Sequence, residues 1–316
     1  MRVLVTGGTG FLGKNIRDHL PRLLGEEYSV SLIGSEPYDL RCQQATRKAL
    51  EYYNPDVIVH AAGSVGGIGA NQENPGKFMY DNLIMGANLI ERARVRQVQK
   101  FVLLGTVCAY PKYTPTPFLE SYLWEGYPEE TNAPYGIAKK SLMKLLQTYG
   151  EQYGMRGANL IPVNMYGPHD HFNLTSSHVI PALILKFYNA MKNGHKEVDI
   201  WGTGRASREF LYAPDCVEAI AKAIKTDVSL DPINIGTGQE ISIMDLALEI
   251  IEQMGYEGVI NWQSDKPDGQ PRRCLNTHLA DERLGFKAKT DLQTGLKQTI
   301  QWFLNDSNFK ENRNEF

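Results

Sequence analysis

Residues 3–13, VLVTGGTGFLG, constrain the fold more than any other stretch: a β-branched run passes through a glycine-rich turn into an apolar segment. Gly7, Gly10 and Gly13 are spaced GxxGxxG, and Gly8, Gly10 and Gly13 also satisfy GxGxxG. Glycines at such a turn let the backbone approach a pyrophosphate closely, and the helix that follows supplies unpaired N–H donors. A strand before the glycines and a helix after them are the context that separates a dinucleotide site from a bare turn. Thr9, Phe11 and Leu12 lie in the same segment and join Gly7, Gly10 and Gly13 as candidate cofactor contacts.

The rest of the first half agrees with that start. Short apolar runs over 3–5, 30–33, 57–59, 101–104 and 158–162 alternate with amphipathic stretches over 11–24, 44–52, 82–95 and 135–153. Near-continuous apolar strands separated by helices predict an α/β fold, a doubly wound parallel sheet of Rossmann type covered on both faces. Past about residue 165 the pattern changes. It predicts helices over 178–193, 214–225 and 242–253, the last capped by Ser242, with short strands over 199–201 and 210–212. The expected division is a cofactor-binding domain over 1–165, rejoined by a segment around 210–225, and a smaller C-terminal α/β substrate lobe over 166–316.

Composition narrows the class. A net charge of −3 with scattered basic residues leaves no electrostatic footprint for nucleic acid. No apolar run is long enough for a leader or a membrane span. Cys42, Cys108, Cys216 and Cys274 are far apart and form no CxxC pair, which argues against a disulfide framework or a metal site. The expectation is a cytoplasmic enzyme with reduced thiols and no metal.

The second strand ends in Ile33, Gly34, Ser35 and Glu36. A site for NAD usually places an acid at that strand end, on the ribose 2′-hydroxyl. Gly34 and Ser35 instead leave room for a 2′-phosphate and can donate to it, so the cofactor is read as NADP(H), although Glu36 follows and no Arg stands beside it. Asp39 is either an adenine contact or an ordinary turn carboxylate. Ala61, Ala62, Gly63, Leu104, Gly105, Pro162 and Val163, near the ends of the next strands, are further candidate cofactor contacts.

Tyr135 and Lys139 form a YxxxK element on a helical stretch, and a spacing of four places both on one face. An ammonium there would stabilise tyrosinate and draw the Tyr135 pKa down toward working pH. Tyr135 could then hand a proton to a carbonyl oxygen as hydride reaches the carbon. Thr106, closing the fourth strand, can hydrogen-bond that carbonyl or the Tyr135 hydroxyl.

On the glycine loop, Thr106, Tyr135 and Lys139, the chain resembles the extended short-chain dehydrogenase/reductase superfamily. AAGSVGGI at 61–68, TVCAYP at 106–111, NMYGPHD at 164–170, SHVIPAL at 177–183, and WGTG at 201–204 with REF at 208–210 narrow the resemblance to the GDP-L-fucose synthase family, over residues 1 to about 305. Members of that family are GDP-4-keto-6-deoxy-D-mannose 3,5-epimerase-4-reductases using NADPH. Their epimerising Cys and His match Cys108 and His178, the latter also at the cofactor. The chemistry needs such a pair: protons on C3 and C5 are acidic beside the C4 ketone, and inversion removes a proton on one face and returns one on the other. The resemblance further implies substrate contacts at Val65, Gly66, Gly67, Asn164, Lys186, Trp201, Arg208 and Asn276. Of these, Arg208 would clamp a diphosphate, Trp201 would offer an apolar face, and Asn276, where the family tends to carry Asp, would lie near a ribose hydroxyl. It also implies a homodimer pairing the 82–95 and 135–153 helices. Two departures stand out: Thr106 replaces a frequent Ser, and the second strand end lacks the basic residue of some members. Three rivals follow. The first is a sibling reductase on another GDP-4-keto sugar, yielding GDP-L-colitose or a GDP-heptose. The second is an NAD-recycling epimerase or dehydratase, for which Val107, Cys108 and Ala109 lack the acids. The third is a non-catalytic NADP-sensing scaffold, against which the intact Tyr135, Lys139 and Thr106 set weighs.

Overall fold

The protein is described from a computed structural model, over residues 1–174, 177–266 and 270–306. The opening glycine turn joins β1 (Arg2–Thr6) to α1 (Phe11–Leu24), and β2 (Ser29–Ile33), α2 (Gln43–Tyr53) and β3 (Val57–His60) follow. A short α3 (Ile68–Glu73) precedes α4 (Pro75–Val95), β4 (Lys100–Leu104), α5 (Ala133–Tyr153) and β5 (Gly157–Pro162). Strands β3, β4 and β5 are buried at every position, as parallel strands with helices on both faces must be. Helix α4 starts well before the predicted 82 because Pro75, at its first turn, has no N–H to lose and a φ already suited to a helix.

The remaining elements are β6 (Asn164–Tyr166), α6 (Val179–Asn193), β7 (Glu197–Trp201), β8 (Ser207–Tyr212), α7 (Ala213–Lys225) and β9 (Pro232–Ile235). They continue through β10 (Glu240–Ser242), α8 (Ile243–Met254), β11 (Val259–Gln263), β12 (Arg272–Arg273), α9 (His278–Leu284) and α10 (Leu292–Asn305). The large sheet is parallel throughout, in the order β2-β1-β3-β4-β5-β9. This is the doubly wound arrangement, and its strand order reverses beside β1, where the glycine turn emerges. Strand β9 was not foreseen, since the short, wholly buried PINI run carries no period of its own.

Of the stretch around 210–225, only the helical part rejoins the large sheet: α7 packs on α1, β4 and β5. Residues 210–212 stay in β8, which pairs with β6, β10 and β12 beyond that sheet's edge. A second apolar core gathers there around Tyr166, Phe187, Phe210, Leu246 and Phe303. The foreseen cap of α8 is present, Ser242 Oγ accepting the Asp245 N–H at 3.0 Å.

One buried carboxylate ties these parts together. Glu209, on β8 and 0% exposed, accepts the backbone N–H groups of Thr237 (2.5 Å), Gly238 (2.8 Å) and Leu275 (2.6 Å). It thereby anchors the turn after β9 and the chain after β12 to a single strand. Burial pushes its pKa up, and the three N–H bonds oppose that shift. Glu209→Ala would strand the buried Leu275 N–H, at about 1–3 kcal/mol, and would take the acceptor from the part-buried N–H groups of Thr237 and Gly238. The variant is therefore expected to unfold at markedly lower urea than the parent protein, and an unchanged midpoint would remove Glu209 from this anchoring role.

Candidate active site

The glycine turn shows why it tolerates nothing larger. Gly7 has φ +78°, and a Cβ there would lie 2.8 Å from the Ala62 backbone at the end of β3. A Cβ on Gly13 would lie 2.1 Å from the Gly7 carbonyl oxygen, so α1 sits directly against the turn. Gly10 caps α1 with no side-chain hydrogen bond, and the first turn of the helix carries no acidic residue. These are the conditions under which a helix N-terminus accepts an anion. Thr9 packs against Gly34 at the end of β2, where a Cβ would come within 2.8 Å of it. Thr6 Oγ1 accepts the Ala62 N–H at 3.2 Å and bonds His60 Nδ1 at 2.8 Å, which latches the ends of β1 and β3.

Ser35 is exposed in the loop after β2. The first basic residue after that strand end is Arg41. Arg41 donates to Asp39 through Nε (3.0 Å) and Nη2 (2.8 Å), and through Nη1 to Asp81 on α4 at 3.4 Å. Asp39 is engaged by Arg41, and its bonds to Arg41 hold its pKa below the ordinary value. Sequence reasoning passed over Arg41, which follows the Ser35 strand end only after a further turn of chain.

Tyr135 and Lys139 lie on the first turns of α5, and Lys139 is 3% exposed. Its ammonium donates to the carbonyl oxygens of Leu104 (3.1 Å) and Ala62 (3.5 Å), at the ends of β4 and β3. Burial lowers its pKa from 10.5 to about 8. The expected lowering of Tyr135 is not found. Desolvation, with Cys108 beside it, pushes the Tyr135 phenol well above its ordinary value, against a hydrogen bond with Thr106. The physical reason is that Lys139 spends its donors on main-chain carbonyls while the phenol loses water.

Thr106, itself buried, caps a short 3₁₀ turn over Val107–Ala109, its Oγ1 accepting the Cys108 N–H at 3.2 Å. Helix α5 can press on that turn because residue 136 is glycine; a Cβ there would sit 2.3 Å from the Cys108 carbonyl oxygen. Thr106, Cys108, Tyr135 and Lys139 are thus gathered at one strand end. Arg273, from β12, reaches the same place, with Nη1 3.7 Å from Cys108 Sγ; nothing in the sequence pattern flagged it.

The other candidates have partners of their own. His178 is the N-cap residue of α6, with Nδ1 4.0 Å from the carboxylate of buried Asp170. Asp170 also accepts the His171 N–H at 2.8 Å. The loop carrying Gly63, exposed Val65, Gly66 and Gly67 is shaped by two asparagines that sequence reasoning did not single out. Asn82 exchanges hydrogen bonds with the Ser64 backbone (3.1 and 2.8 Å), and Asn71 donates to the carbonyls of Gly66 (2.8 Å) and Gly67 (3.0 Å). Gly105 follows β4, Pro162 ends β5 and Val163 follows it, with Val163 N–H donating to Ile235 on β9. Asn164 Nδ2 donates to the Glu209 carbonyl at 3.2 Å, and Arg208 Nη1 to the Ser207 carbonyl at 2.7 Å. Lys186 is half-buried and donates to the Asp199 carbonyl at 2.7 Å; burial lowers its pKa. Trp201 is 62% exposed at the end of β7. Asn276 Oδ1 accepts the His278 N–H at 3.0 Å, a turn bond ahead of α9. Lys186, Trp201 and Asn276 make no hydrogen bond or ion pair with the Tyr135 cluster. Among the described residues, no group of three metal-ligating side chains occurs, and no helix is long and apolar enough to cross a membrane.

Comparison with known proteins meets this geometry. Residues 3–236 match the NAD dependent epimerase/dehydratase family, a span that ends just after β9 completes the large sheet. The chain is 40% identical to a GDP-L-fucose synthase of Sinorhizobium fredii over 308 residues, covering 96% of each. It is 36% identical to a GDP-L-colitose synthase of Yersinia pseudotuberculosis, covering 98% of this chain and 99% of that one. A solved GDP-L-fucose synthetase from Naegleria fowleri bound to NADP superposes with a TM-score of 0.86 at 28% identity, covering 99% of this chain and 95% of that one.

Lys139 lends itself to a direct test. Its folded pKa, about 8, lies below the 10.5 of the unfolded chain, so between those values the folded protein binds fewer protons. The lysine therefore opposes folding fully below pH 8, on the order of 3 kcal/mol, and this opposition fades as pH rises toward 10.5. Lys139→Met should leave the ligand-free melting temperature at pH 7 unchanged or raised, and should flatten its rise between pH 8 and 10.5. A lower melting temperature at pH 7 would mean that the two carbonyl bonds outweigh desolvation.

Proposed function

We propose, for a chain that belongs to the NAD dependent epimerase/dehydratase family and to its GDP-L-fucose synthase branch, that it converts GDP-4-keto-6-deoxy-D-mannose to GDP-L-fucose with NADPH. The observation that carries this reading is the junction of the 3₁₀ turn and α5, where Gly136 lets Tyr135 and Thr106 stand beside Cys108. A reductase needs the first two; an epimerase that is also a reductase needs the third.

The glycine cradle fits a dinucleotide. Gly7 and Gly13 leave the space a Cβ would fill, and the uncapped start of α1 suits a pyrophosphate. Residues 7–13 would hold it, with Gly34 and Ser35 toward the 2′-phosphate and Arg41 as the nearby cation. The loop 61–63, Leu104, Gly105, Pro162, Val163 and His178 would lie along its nicotinamide side. When bound, NADPH supplies the hydride. Cys108 and His178 exchange protons at C3 and C5 from opposite faces, through an enolate that the C4 ketone makes accessible. Thr106 holds the ketone oxygen, and Tyr135 delivers the proton to it. A phenol shifted upward keeps its proton at neutral pH, which suits an acid.

Residues 1–165 with α7 would form the cofactor-binding part and 166–316 the substrate lobe, of which 175–176, 267–269 and 307–316 lie outside the described residues. Val65, Gly66, Gly67, Asn164, Lys186, Trp201, Arg208 and Asn276 would meet the GDP-sugar. Beyond their present backbone bonds, Lys186 has further ammonium N–H groups and Asn276 its Nδ2 to offer it. The protein would be a cytoplasmic homodimer joined through α4 and α5, which pack together and expose Tyr80, Val95 and Tyr153. A second reading, a sibling reductase on another GDP-4-keto sugar, draws on the likeness to the GDP-L-colitose synthase, because the same residues would serve.

Incubation with NADPH and GDP-4-keto-6-deoxymannose in D2O, followed by NMR of the sugar, is the test. The expected product is GDP-L-fucose carrying deuterium at C3 and C5; a product inverted at neither carbon would overturn the reading. Tyr135→Phe should cut NADPH oxidation at least about 100-fold yet leave that exchange intact. Cys108→Ser should suppress exchange with little effect on NADPH binding. Full exchange in Cys108→Ser would free that residue from the mechanism.

A further inference from the structure

Arg273 is a buried cation without a carboxylate. It is 9% exposed, and among the described residues its guanidinium bonds only Gln270 and Cys108. Nε and Nη2 donate to Gln270 Oε1 at 3.2 and 3.1 Å. Gln270 is itself buried and tied back by Nε2 to the Lys112 carbonyl at 2.8 Å. One edge of the guanidinium is thus occupied by a fixed amide, and Nη1 is left directed at Cys108 Sγ, 3.7 Å away.

Guanidinium does not give up its proton inside a protein, and desolvating a lone cation is costly unless an anion comes to it. The group facing Nη1 is a thiol, which can become that anion. Among the described residues, the titratable and charged groups seen to face Cys108 are Tyr135 from α5 and Arg273 from β12, and of these only Arg273 is cationic. A tyrosine hydroxyl beside the sulfur is neutral, so the positive charge that can offset a thiolate there comes from the guanidinium.

We infer that Arg273 is the positioning residue for Cys108, the cationic partner that holds its sulfur as thiolate. This rests on the proposed role of Cys108 in proton exchange: whichever way the proton moves, Cys108 is a thiolate on one side of each exchange. The thiol is thereby tuned by a residue of the distant C-terminal part, delivered by β12 through its parallel pairing with β8.

Alkylation of the native, ligand-free protein by iodoacetamide tests the pairing, with Cys108 read by peptide mass spectrometry across pH and Cys108→Ser as the blank. Thiolate, not thiol, is the nucleophile, so the midpoint of the profile reports the charge state. Arg273→Met should move that midpoint upward and slow alkylation at pH 7 about tenfold, whereas Arg273→Lys, which keeps the charge, should stay within about threefold of the parent. A profile for Arg273→Met that superimposes on the parent, or Arg273→Lys as slow as Arg273→Met, overturns the inference. Because no sugar is used, failure here leaves the proposed reaction standing. Normal alkylation without turnover of the keto sugar would instead overturn the reaction and spare the pairing.

Discussion

Lys139 is the fixed point around which the site is arranged. Its ammonium is sealed inside the protein with no carboxylate partner among the described residues, and it is held by the carbonyls of Leu104 and Ala62. Those two bonds draw the start of α5 onto the ends of β3 and β4. Everything nearby follows from that placement: the first turn of α5 carries Tyr135, and Gly136 admits the Thr106–Cys108 turn against it. A buried cation costs stability, and its pKa falls to about 8 as a consequence. Such a cost is expected where a chain is arranged for chemistry rather than for rigidity alone.

The opposite side of the site depends on a second unusual burial. Glu209 gathers three backbone donors from separate stretches and fixes β8 against the chain that continues from β12. Arg208 lies next to it on the same strand, and Asn164 bonds its carbonyl. Strand β12 then aims Arg273 back at Cys108. Two buried charges, one anchoring each part, therefore bring a thiol, a phenol and a guanidinium into one neighbourhood.

Much of this was legible in the chain before folding. The parallel sheet was announced by apolar strands without alternation, and the cofactor turn by glycines whose Cβ positions prove to be occupied by backbone. Ser242 was readable as a cap because capping is local. Helix α10 carried a comparable signal, Asp291 accepting the Thr294 N–H at 2.7 Å, and was passed over. Strands as short as β10 and β12, or as featureless as β9, offer no period to read.

The sequence by itself determined the fold class, the dinucleotide turn and the placing of Tyr135 and Lys139 a turn apart on one helix, because each is a matter of spacing along a few neighbouring residues. Only the tertiary structure decided where the charges act. It turned Lys139 toward carbonyls rather than tyrosinate, gave Asp39 to Arg41, made β9 the sixth strand and set Arg273 against Cys108. These are contacts between parts of the chain far apart in number, and their strength comes from desolvation. Desolvation is a property of the packed whole, which no local pattern of residues encodes.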